Sequence, residues 1–174
     1  MPYNQLIMED SGNFIVYTDG GCSGNPGPGG WAYVIINNKE QIKNNKKGEP
    51  VLIAEKWGAE KSTTNNRMEL MAVISALEYL LGVQAPACNS KTEKVTVYTD
   101  SQYVQKGMTI WIKDWKSRGW KTSGKDPVKN QDLWQRLDTL ATEFSINWVW
   151  VKGHAGNRYN ERCDLLTQKA IASL

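Results

Sequence analysis

The apolar residues of this chain change their spacing at residue 69, and that change limits the folds open to it. From Glu69 onward Leu70, Val73, Ile74, Leu77 and Leu81 fall at helical steps, which predicts an amphipathic helix ending near Gly82. Ahead of it lie three short β-rich runs at 14–17, 31–36 and 51–59, the first stopping at Thr18-Asp19 before the Gly/Pro-dense stretch Gly20 to Gly30. Behind it, 95–99 and 146–151 read as strands, with Ile146, Trp148 and Trp150 on one face. The segments 101–118, 130–144 and 157–172 read as helices, the second capped by Asn130 after Pro127. Three strands with short links predict an antiparallel meander. The whole order predicts an α/β chain, a mixed sheet covered by helices. A length of 174 residues suits one domain, taken as 14–174 after a short N-terminal extension, 1–13. The polar run 37–48 reads as a loop.

Composition removes several classes. No stretch approaches the roughly 18 apolar residues of a membrane span, and the start of the chain lacks an apolar signal core. A soluble cytoplasmic protein with no membrane partner is expected. Cys22, Cys88 and Cys163 are too widely spaced for a disulfide framework or a CxxC metal site, so they read as free thiols. The net charge of +3 excludes both a polycation and an acidic solvating tail.

Active sites in such sheets lie beyond strand ends, and four acids sit at element ends. Asp19 closes the first strand, Asp100 closes the fourth, Glu69 opens the first helix and Asp164 lies early in the last. Taken singly, each has a structural use. Glu69, three after Asn66, fits a capping box; Asp19 fits the turn before Gly20-Gly21; Asp100 fits a helix cap; Asp164 fits the helix dipole. Taken together, they form an oxygen-ligand set for hard divalent cations, where two ions about 3.5–4 Å apart share one carboxylate. His154 is the only histidine, set in a Gly153-His154-Ala155-Gly156 loop, and an imidazole is the side chain best suited to proton handling around neutrality.

These residues stand inside pieces that resemble the type 1 ribonucleases H, the bacterial enzymes in particular. The pieces are Thr18-Asp19-Gly20-Gly21-Cys22-Ser23-Gly24-Asn25-Pro26-Gly27-Pro28-Gly29-Gly30, Thr63-Thr64-Asn65-Asn66-Arg67-Met68-Glu69-Leu70 and Thr99-Asp100-Ser101-Gln102-Tyr103-Val104. They continue with Gly119-Trp120-Lys121, Asp132-Leu133-Trp134-Gln135-Arg136-Leu137, Trp150-Val151-Lys152-Gly153-His154-Ala155-Gly156 and Asn160-Glu161-Arg162-Cys163-Asp164. The resemblance implies a ribonuclease H-like fold: a five-stranded mixed sheet, three antiparallel strands then two parallel, flanked by helices. It also implies an endonuclease that hydrolyses the RNA strand of RNA/DNA hybrids, leaving 5′-phosphate and 3′-hydroxyl ends, and so removes RNA primers and R-loops. Asp19, Glu69, Asp100 and Asp164 would then bind two Mg²⁺ ions, with Mn²⁺ as a substitute. The ion on Asp19 and Asp164 would activate the attacking water; the ion on Asp19, Glu69 and Asp100 would stabilise the leaving 3′-oxygen. His154 would assist proton transfer and product departure, its loss costing less than that of Asp19 or Asp100.

Recognition of RNA opposite DNA is a matter of shape and sugar rather than base reading. By the resemblance, Asn25, Asn66 and Gln102 contact the hybrid groove and Thr64 holds a DNA phosphate; turn geometry for Asn25 and capping for Asn66 are compatible second roles. Between Lys106 and Lys129 seven basic residues face two acids, a local +5 that leaves −2 for the rest. Lys113, Lys116 and Lys121 alternate there with Trp111, Trp115 and Trp120, a mixture suited to phosphate attraction with sugar or base contact. This segment, 106–129, resembles the family's basic protrusion, which grips the DNA strand; Lys113, Trp115, Lys116, Trp120 and Lys121 are its candidate contacts. Trp134, Trp148 and Trp150 read as core. The chain departs from the family in longer segments at 37–50 and 82–94 and in Leu165-Leu166, where an acid often follows. No room is expected for the separate hybrid-binding domain of eukaryotic members. A monomer is expected, with a single-strand-binding protein as a candidate partner. Two rival readings stand beside the nuclease: a hybrid-binding module without catalysis, and a DNA strand-transfer or junction nuclease on the same fold.

Overall fold

The computed structural model describes residues 14–37, 50–84 and 93–174. The extension 1–13, Cys88, and most of the two longer segments at 37–50 and 82–94 therefore lie outside the described residues.

Five strands form one sheet in the order β3-β2-β1-β4-β5. They are β1 (Phe14–Cys22), β2 (Gly27–Asn37), β3 (Val51–Thr63), β4 (Lys94–Thr99) and β5 (Ser145–Trp150). The pairs β1/β2 and β2/β3 are antiparallel, and β1/β4 and β4/β5 are parallel. This is the mixed sheet expected, with one correction. The first strand does not stop at Asp19: it runs on through Gly20-Gly21-Cys22, pairing with Gly29 to Trp31. Glycines that read as turn punctuation are here the residues that let two backbones and a helix meet closely.

Helix α1 (Asn65–Gln84) crosses between β3 and β4. Leu70, Val73, Ile74 and Leu77 are buried as their spacing requires, but Leu80 completes the row and Leu81 stays exposed. Met68, Ala72 and Ala76 are buried as well, so the helix is apolar around most of its girth rather than along one stripe. The reason is α4 (Gln131–Ala141), which packs Leu133, Trp134, Leu137 and Leu140 into the same core. The predicted helix over 101–118 is three pieces: α2 (Gln102–Lys106), a π-helical turn (Gly107–Trp111) and α3 (Ile112–Ser117). A Cβ on Gly107 would come within 2.7 Å of ring carbons of Trp134, which explains a glycine where the backbone takes its widened turn. Asn130 precedes α4 in the left-handed region with no side-chain cap; its amide instead donates to the Tyr103 hydroxyl at 3.2 Å.

The last helix, α5 (Arg158–Ala172), covers the opposite face of the sheet. There Cys163 and Leu166 close over Ile15, Tyr17, Ala32, Val34 and Ile36. Asn157 caps this helix by accepting from the backbone N–H groups of Tyr159 and Asn160. Cys22 and Cys163 are free thiols. No helix among the described residues is long and apolar enough to cross a membrane.

Candidate active site

Three of the four acids meet where β1, β4 and α1 converge. One carboxylate oxygen from each of Asp19, Glu69 and Asp100 lies within 4.8 Å of the other two. Backbone contact sets this closeness, because a Cβ at Gly20 would collide with the main chain of Met68 and Glu69. Glu69 is not the acid of a capping box. It is the fifth residue of α1, whose first turn is capped by Thr64: the Thr64 hydroxyl accepts from Arg67 N at 3.4 Å and its carbonyl from Met68 N at 3.1 Å. Nor does Asp100 cap α2, since Ser101 takes that place and its hydroxyl accepts from Val104 N.

The electrostatics are unfavourable for the protein alone. Burial first, then the charges of Asp100 and Asp164, push the Asp19 carboxyl up to about 6 against opposition from Thr167 and His154. Glu69, 6% exposed, is raised well above the usual carboxylate range by burial and by Asp19 and Asp100. Asp100 is raised too, by burial with a contribution from Asp164. Glu69 Oε2 is buried and has no hydrogen-bond partner among the described residues. A buried acceptor without a donor and three crowded carboxylates are a poor arrangement for stability. They suit a hard divalent cation, whose ligands are oxygens and whose charge cancels the repulsion; the donor set fits such an ion.

Asp164 stands at the rim of this group. It lines a depression with Asp19, Gly20, Gly21, Cys22, Ser23, Asn65 and Gln168, and its Oδ2 is 4.0 Å from His154 Nδ1. His154 is exposed and has a positive φ of 54°, and Gly156 beyond it has φ 83°. The Gly156 N–H donates to Glu161 Oε1 at 3.1 Å, tying the histidine loop to the first turn of α5.

The substrate candidates divide into two groups. Asn25 Oδ1 accepts from Asn65 N at 3.3 Å, which holds the β1–β2 turn against the start of α1; Asn66 beside it is exposed. Gln102 is exposed two residues beyond Asp100 and accepts from Lys106 Nζ at 3.0 Å. In the basic segment Lys113, Lys116 and Lys121 are exposed, but Lys116 is paired with Asp138 at 2.8 Å. Trp115 and Trp120 are half-buried and pack against the core, Trp115 edge-on to Trp134 at 5.2 Å. These rings thus root the segment as well as lining it.

Trp150 was expected in the core and is 43% exposed instead. It ends an edge strand, and its indole N–H donates to the Asp100 carbonyl at 2.9 Å, fixing the main chain beneath that acid. Sequence reasoning also gave Asn160 no role of its own, although it stands four residues before Asp164 in a recognised motif. Its amide nitrogen lies 3.5 Å from Asp100 Oδ2.

A family model described as RNase H matches residues 11–172. The chain is 51% identical over 169 residues to a ribonuclease H of Treponema denticola, covering 93% of this chain and 99% of that protein. It is 50% identical over 160 residues to a ribonuclease H of Chromobacterium violaceum, covering 91% and 95%. Among solved structures it is similar to LC9-RNase H1, a type 1 RNase H with the type 2 active-site motif, with a TM-score of 0.76 and 33% identity over 92% of this chain and 72% of that one. LC11-RNase H1 in complex with an RNA/DNA hybrid gives a TM-score of 0.62 at 26% identity, over 92% and 97%.

Proposed function

The chain belongs to the ribonuclease H family and is a ribonuclease H, and from that premise we propose that it hydrolyses the RNA strand of RNA/DNA hybrids with two divalent cations. The observation that carries the two-cation reading is the group of buried Asp19, buried Glu69 and half-buried Asp100, with Glu69 Oε2 left without a donor among the described residues. A chain that only held nucleic acid would gain nothing from burying like charges beside a phosphate backbone. The hybrid-bound structural relative supports the choice of substrate.

Asp19, Glu69 and Asp100 hold one cation, and Asp19 and Asp164 the other. When bound, these cations lower the pKa of an attacking water and take up charge on the phosphodiester and the leaving oxygen. Mg²⁺ is the proposed ion and Mn²⁺ a substitute; the product ends are 5′-phosphate and 3′-hydroxyl. His154 moves a proton at its ring nitrogen beside Asp164 and aids product departure. Asn25, Asn66 and Gln102 contact the groove and Thr64 a DNA phosphate, while Lys113, Trp115, Lys116, Trp120 and Lys121 grip the DNA strand. The domain is residues 14–174, with 1–13 an extension. The proposed setting is a cytoplasmic monomer that removes RNA primers and R-loops, with a single-strand-binding protein as a partner.

The deciding assay uses end-labelled RNA/DNA hybrid, RNA duplex and DNA duplex, with Mg²⁺ in the presence or absence of chelator. Chelator-sensitive cleavage of RNA in the hybrid alone is expected. Cleavage of the DNA duplex would favour the strand-transfer reading, and intact RNA under every metal condition would overturn the enzyme.

A further inference from the structure

Asn160 is 2% exposed and sits in the first turn of α5, sixty residues from the acid it touches. Among the described residues its Nδ2 is the only side-chain group that hydrogen-bonds the Asp100 carboxylate, while its Oδ1 is buried without a partner. A carboxylate can only accept, so the nitrogen end must be the end that faces it. A buried amide retained for folding alone would be expected to have both ends paired; this one is half satisfied, as Glu69 is.

Three further observations show what the contact controls. The Asp100 main chain is already held by the Trp150 indole, which leaves the carboxylate torsion as the freedom still to be fixed. A Cβ on Gly153 would come within 2.8 Å of Asp100 Oδ2, so the loop that carries His154 crowds the same oxygen that Asn160 faces. Asp164 follows Asn160 by four residues on one rigid helix and hence shares its face. The 3.5 Å separation is long, as hydrogen bonds in such sites commonly are before substrate tightens them.

We propose that Asn160 is a positioning residue that fixes the Asp100 carboxylate against Asp164, so that the cation ligands from β4 and from α5 keep one spacing. The proposal rests on the function given above and adds to it the part that ties the two sides together.

The test compares wild type with Asn160→Ala and the isosteric Asn160→Asp. Both should lower kcat on the order of tenfold with hybrid KM within about twofold. Asn160→Ala should also weaken Mg²⁺ binding severalfold in calorimetry without substrate. A purely structural role would lower thermal stability and leave kcat per folded molecule and Mg²⁺ affinity in place; that result in a folded variant overturns the proposal. Should the variants fail to fold, the side-chain amide resonances of Asn160 in isotope-labelled wild-type protein decide. They should shift on adding Mg²⁺ and again in Asp100→Asn, and resonances unmoved by either would overturn it. Wild-type protein without chelator-sensitive cleavage would defeat the function instead, a separate outcome from the amide readout.

Discussion

The acidic centre and the basic segment are opposite solutions to carrying charge. At the centre, Asp19 and Glu69 are buried by β1 and α1 at the cost of raised pKa values and an acceptor without a donor. In the segment 106–129 the lysines stay in solvent, and the packing is done by half-buried Trp115 and Trp120 around Trp134. The first region stores repulsion that a cation would relieve. The second holds nothing in reserve, and its charge acts through long-range attraction that salt screens. On the proposed function one region would govern chemistry and the other encounter, and each should respond to treatments the other ignores.

The sharpest break of this contrast is Asp19→Asn. Cleavage should fall by on the order of a thousandfold or more, the loss reported for central catalytic groups, while hybrid binding measured by gel shift persists. A variant that cleaves as wild type does would remove Asp19 from the proposed cation set.

Next in size is an effect on stability. Asp19, Glu69 and Asp100 all have folded-state pKa values above their ordinary ones, so these three groups bind protons more readily in the folded chain than in the unfolded one, Asp19 between about pH 4 and pH 6. The contribution of Asp19 is present at low pH and is lost as pH rises through about 6. For Asp19 alone the loss is about 3 kcal/mol. In chelator, Asp19→Asn should be more stable than wild type at pH 8 and nearly equal to it at pH 4. Comparing the two chains removes groups such as Glu55, whose pKa is lowered by the Arg162 hydrogen bond and which acts in the opposite sense. Melting curves that differ equally at both pH values would contradict the burial argument.

The smallest effect belongs to the other region. Replacing Lys113, Lys116 and Lys121 by Ala should raise KM about tenfold, leave kcat nearly unchanged and reduce the salt slope by about 2–3. Because Lys116 is engaged by Asp138, its single replacement should cost less than that of Lys113 or Lys121. A salt slope equal to wild type would deny the segment its role.

Legibility in the sequence followed the range of the forces involved. The α1 stripe was readable through Leu77 because helix periodicity is local. It failed at Leu81, since only the arrival of α4 decides which side of the last turn is covered. The four acids were readable because each sits in a recognisable local motif. Their ranking was not: that Asp19, Glu69 and Asp100 cluster while Asp164 stands at the rim depends on how α5 lies across the sheet. Asn130 as a side-chain cap, the end of β1 and the burial of Trp150 were misread for one reason. In each case a partner distant in sequence, Tyr103, β2 or Asp100, outweighed the local preference.

The placement of α5 also bears on how the chain comes into being. The ribosome delivers residues at about 5–20 per second, so Asp19 emerges several seconds before the helix that carries Asn160 and Asp164. Until then the sheet face of Ile15, Tyr17, Ala32, Val34 and Ile36 lacks its cover of Cys163 and Leu166. A nascent chain is thus both sticky and chemically incomplete, and the same late helix ends both conditions at once. The acidic site is therefore assembled in full only once α5 has emerged and docked.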